Sequence, residues 1–157
     1  MGLDMMVREI RTWEKRELAN FVQSVLKSIY NVNNPNVNEE FDLDSFILRN
    51  PTIAIPYQIG EELCYWRKHP DLHGWMRDLF YDKGGKSETS FNNDIVFLSV
   101  EDVENLRIAI TEEKLPHTSG FFFGESDVSQ KYADLEEIDK ILYALKKGSL
   151  IYYTSSW

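Results

Sequence analysis

From Leu18 onward the apolar residues Leu18, Phe21, Val22, Val25, Leu26 and Ile29 recur at steps of three and four. That is the stripe of an amphipathic helix, predicted over Trp13 to Tyr30. Ahead of it, Met1 to Glu9 sets Leu3, Met5 and Val7 against Gly2, Asp4, Met6 and Arg8 in a loose alternation, the pattern of a short strand with one apolar face. Near the other end, Leu135, Ile138, Ile141, Leu142 and Leu145 form a second stripe. Its helix is predicted to start at Asp134, with Glu137 at capping-box spacing, and to stop at Lys146-Lys147-Gly148. Leu150 to Thr154, rich in β-branched and aromatic residues, reads as a closing strand.

The middle of the chain is more broken. Asn31 to Asn38 is a loop by its asparagines and proline, and Phe41 to Leu48 a short helical turn. Thr52 to Pro56 reads as an edge strand confined by its prolines. Glu61 to Lys68 is compatible with a helix. After Pro70, Leu72, Trp75, Met76, Leu79 and Phe80 give a further helical face ending near Gly84-Gly85. Lys83 to Asn93 is a polar loop, Ile95 to Leu98 a buried strand, and Ser99 the N-cap of a helix that buries Val103, Leu106 and Ile110. Strands and helices in irregular order predict an α+β domain over residues 1–157, with a small mixed sheet of about four strands and four to five helices packed mainly on one face. No internal repeat or linker divides it.

Composition narrows the function. A hydrophobic content of 43% supports a real core, and a net charge of −9 makes the summed field repel phosphates and anionic lipid, so neither nucleic acid nor membrane is an expected partner. One cysteine, Cys64, cannot form an internal disulfide, and the chain opens without a signal-peptide pattern, so a cytoplasmic location is expected.

Four segments carry a resemblance. They are Met1-Gly2-Leu3-Asp4-Met5; Tyr65-Trp66-Arg67-Lys68 with Leu72-His73-Gly74-Trp75; Leu115-Pro116-His117-Thr118-Ser119-Gly120-Phe121-Phe122-Phe123-Gly124; and Ser155-Ser156-Trp157. In this order and spacing the chain resembles a family of small bacteriophage and bacterial proteins. The resemblance implies a small cytosolic accessory protein of phage or mobile-element type, and it supplies no catalytic residues.

The candidate ligand-binding residues lie in two of these segments. Trp66, Arg67, Lys68, His73 and Trp75 combine cations that hold an anion with rings that stack on a base; the plainer alternative makes the tryptophans core anchors and the cations solvated. Thr118, Ser119 and Gly120 add hydroxyls and open backbone. Three consecutive phenylalanines in an extended segment cannot share one face, so Phe122 needs cover from a helix, a ligand or a second copy, and a homodimer would supply the last. A metal set drawn from Cys64, His69, His73 and His117 lacks paired ligand spacing, and Pro70 interrupts it, so no metal or other cofactor is expected. The leading expectation is a non-enzymatic binding module that sequesters a small anionic, nucleotide-like ligand or blocks a host protein. A small enzyme on a phosphorylated substrate, with His73 or His117 as acid-base group, is the alternative. An acidic DNA mimic is the third.

Overall fold

The computed structural model describes residues 2–30, 41–56 and 59–157, so the asparagine-rich loop predicted over residues 31–38 lies outside the described residues. Its elements run β1 (Asp4–Ile10), α1 (Lys15–Tyr30), α2 (Leu43–Arg49), β2 (Glu61–Arg67), α3 (Pro70–Asp82), β3 (Ile95–Leu98), α4 (Val100–Thr111), a 3-10 turn (Val128–Gln130), α5 (Lys131–Lys146) and β4 (Leu150–Ser156). This is the expected α+β class. The four strands stand in the order β2-β1-β4-β3 and every pairing is antiparallel.

The first and last strands therefore form the centre. β1 pairs with β4 from Asp4↔Ser156 to Ile10↔Leu150, and with β2 through a bulge between Val7 and Arg8. Alternation then sorts side chains onto two faces. Met5, Val7, Val96, Leu98, Ile151 and Tyr153 pack with residues of α3, α4 and α5, including Leu72, Met76, Leu106, Ile138 and Ile141. Ile10, Ile95, Phe97 and Tyr152 pack on the opposite side against Leu18 and Val22 of α1 and Leu43 and Ile47 of α2.

The sheet is antiparallel throughout where a mixed one was expected, and three expectations at the level of single elements are overturned. Glu61–Arg67 is a strand and not a helix: Cys64 and Trp66 are buried while Tyr65 and Arg67 are exposed, a period of two that outweighs the helix propensity of the leading glutamates. Thr52 to Pro56 forms no strand, because Pro51 and Pro56 have no N–H to place in a ladder. Only the Pro51 carbonyl reaches β3, where it accepts the Phe97 N–H at 2.7 Å. Asp134 does not cap α5. The N-cap position of α5 is Gln130, without a side-chain cap, and the capping box sits one turn earlier. Asp127 caps the 3-10 turn, its side chain accepting the Ser129 N–H and its own N–H meeting Gln130, and this turn leads into a helix that begins three residues before Asp134.

Candidate functional site

Ending β2 requires a sharp redirection, which Lys68 makes with a φ of 55° before Pro70 takes the first position of α3. Between them stands His69, buried at 3% exposure. Its Nε2 lies 2.8 Å from Asp134 Oδ2, and its Nδ1 lies 2.9 Å from Ser126 Oγ. Asp134 is equally buried, and its other oxygen accepts the Trp66 indole N–H at 3.0 Å. A carboxylate only accepts, so Nε2 carries a proton toward Asp134; in the neutral tautomer this leaves Nδ1 as the acceptor for the Ser126 hydroxyl. Ser126 Oγ in turn accepts the Asp71 N–H at 3.0 Å and so caps α3 from a distant segment, since His69 itself provides no side-chain cap. The Asp71 carboxylate takes the Thr118 N–H at 2.9 Å.

This chain of side chains borders a cavity of about 110 Å³ between the starts of α3 and α5 and the end of α4. Asp71, Glu113, Asp127 and Asp134 line it beside His69, Ser126 and the apolar Ile110, Leu115 and Val128, and Lys131, 3.3 Å from Glu113, is the one lysine or arginine in its wall. A second cavity of about 180 Å³, lined mainly by Ile47, Leu48, Pro51, Phe97, Leu145 and Leu150, lies against β3 and is mostly apolar.

None of Trp66, Arg67, Lys68, His73, Trp75, Thr118, Ser119, Gly120 and Phe122 lines either cavity. Trp66, His73 and Thr118 are buried, Trp75 and Phe122 are half-buried, and Arg67, Lys68, Ser119 and Gly120 are exposed. Arg67 approaches Asp4 at 3.8 Å. His73 Nδ1 shares a 2.7 Å hydrogen bond with the Tyr153 hydroxyl, and the ring packs among Phe91, Phe123 and Trp157. Burial, helped by Arg77, lowers its pKa to about 4. His117 is exposed, 3.8 Å from Asp71.

The four segments that carry the sequence resemblance pack together. Leu3 donates its N–H to the Phe122 carbonyl and accepts the Lys68 N–H, Lys68 lies against Gly124 and Gly2, and Trp157 stacks edge-on with His73 and Phe123. The phenylalanines sit in a turn, not an extended strand, which leaves Phe121 at 94% exposure, Phe122 against it, and Phe123 in the core. Among the described residues no three His, Cys, Asp or Glu gather to hold a metal ion. Burial pushes the Cys64 thiol up, away from the reactive thiolate. No described helix is long and apolar enough to cross a membrane.

Sequence reading overlooked Ser126 and Asp71, weighed His69 only as a metal ligand, and placed Asp134 as a cap. The partners of His69 are 57 and 65 residues away, so no local spacing announces the group. Compared with known proteins, the chain matches no family model, no curated protein and no solved structure.

Proposed function

We propose that this chain is a protein-binding module that receives a basic side chain of its partner in the acidic cavity between α3, α4 and α5. The observation that carries the reading is the cavity itself: four carboxylates against one ammonium, in a volume of about 110 Å³. Pockets for whole small molecules run to roughly 300–1,000 Å³. This one admits a side-chain head and not a nucleotide. Its charge also opposes an anion, and Arg67 and Lys68 do not line it. The net charge of −9 adds long-range attraction for a basic surface. The likeness to phage proteins makes a host protein the partner class to try first.

Titrating the labelled protein with an arginine- and lysine-rich peptide, followed by amide NMR, tests this. Shifts are expected to centre on Asp71, Ser126 and Lys131. Glu113→Gln with Asp127→Asn is expected to weaken binding about tenfold, and the asparagine keeps the cap of the 3-10 turn. Shifts that spare these residues, or match those from a citrulline-substituted peptide, would sink the reading.

A further inference from the structure

The network at the cavity wall has the parts of a nucleophilic site. A hydroxyl has one proton and two lone pairs. With His69 in its neutral Nε2–H tautomer the Ser126 proton points to Nδ1, and one lone pair accepts the Asp71 N–H. The other lone pair has no partner among the described residues, and Ser126 lines the cavity. Asp134 on Nε2 selects, for the neutral ring, the tautomer in which the nitrogen facing Ser126 carries the lone pair. The Asp71 N–H belongs to the first turn of a thirteen-residue helix, whose positive end supports charge developing on the serine oxygen. Nucleophile, base and orienting carboxylate within hydrogen-bond reach define this chemistry by geometry and not by sequence order. The order here is His69, Ser126, Asp134, and the imidazole is turned end for end relative to the serine-protease arrangement.

We infer that Ser126 is an acyl-accepting nucleophile, with His69 as its general base and Asp134 as a positioning residue, directed at esters that carry a cationic group. The cationic preference rests on the acidic-cavity reading above. The carboxylates that attract an ammonium also oppose an oxyanion, so the site suits a substrate whose own charge offsets theirs. In the acylation step Oγ attacks the ester carbonyl carbon, the Oγ proton passes to His69 Nδ1, the bond from the acyl carbon to the alcohol oxygen breaks, and the alcohol leaves with that proton. Water then attacks the acyl-serine through the same base and restores Oγ–H, so ester and water become acid and alcohol.

The probe is an alkyl fluorophosphonate, which bonds phosphorus to Oγ as fluoride leaves, read by peptide mass mapping of the full chain. Labelling is expected at Ser126 and lost in Ser126→Ala, with the NMR spectrum of that variant confirming its fold. Acetylcholine is expected to slow labelling at about tenfold lower concentration than its neutral analogue, in which carbon replaces the ammonium nitrogen. Asp134→Asn is expected to slow labelling by about a hundredfold or more and to change the pH dependence of the labelling that remains, a readout that a purely structural role does not move. If folded wild-type protein leaves Ser126 unlabelled while the basic peptide still binds, the nucleophile is overturned and the network is a clamp on α3. If Ser126 labels but both esters protect equally, the nucleophile stands and the cationic cavity falls.

Discussion

His73 shows how far a residue's surroundings can override its type. Its ring is 1% exposed, among aromatic side chains, and its folded-state pKa of about 4 lies below the ordinary 6.5 because burial disfavours the cation. Above pH 6.5 the group is neutral in both states and costs nothing. As pH falls below 6.5 the unfolded chain takes up a proton that the folded chain refuses, so stability is lost progressively down to about pH 4. The loss amounts to about 3 kcal/mol. Urea midpoints measured between pH 7 and pH 4 should fall accordingly, and the imidazole resonances should titrate near 4; a His73 titration near 6.5 in folded protein would contradict the packing. Gly74 is the second case. A Cβ there would stand 1.8 Å from Thr118 Oγ1, and Thr118 is held in place by Asp71 and the Pro116 carbonyl. Alanine gains about 1 kcal/mol of helix propensity, yet Gly74→Ala should be net destabilising by about 1–3 kcal/mol from overpacking. Adding Thr118→Ala should recover most of that in denaturant unfolding. A fully stable single variant would refute the contact.

At the scale of elements, local chemistry was readable wherever the partners are neighbours in the chain. Ser99 was recognisable as a cap, and in the fold its hydroxyl accepts the Asp102 N–H while Asp102 accepts the Ser99 N–H. Asp102 also pairs with Lys83, tying α4 to the end of α3. Ser99→Ala should lower thermal stability by about 1 kcal/mol, and a calorimetric Tm equal to wild type would show that the cap contributes nothing. Element type was harder to read. Glu61–Arg67 carries apolar residues at spacings that suit either period, and only pairing with β1 on one side selects the strand. The run from Val128 into α5 hides its start for a related reason: Asp134 looks like a cap because aspartate usually is one, but its side chain is drawn inward by Trp66 and His69, which lie on other elements.

For the whole molecule, charge and topology act together. A net charge of −9 favours fast encounter with a basic partner, and the attraction is screened over about 8–10 Å at ordinary salt. The basic-peptide affinity proposed above should therefore weaken as salt is raised from low to high concentration; a salt-independent affinity would point to an apolar contact such as the exposed Phe121 instead. The sequence by itself determined the α+β class, most of the helices, three of the four strands and the sign of the field, because these follow from periodicity, local capping and composition. The tertiary structure alone decided that β1 and β4 lie side by side at the centre of the sheet, that the predicted cationic-aromatic residues divide between core and surface, and that Ser126, His69 and Asp134 meet. Each of those outcomes depends on contacts between residues more than fifty positions apart. Such contacts are selected by the closing of the whole core and leave no periodic trace in the chain.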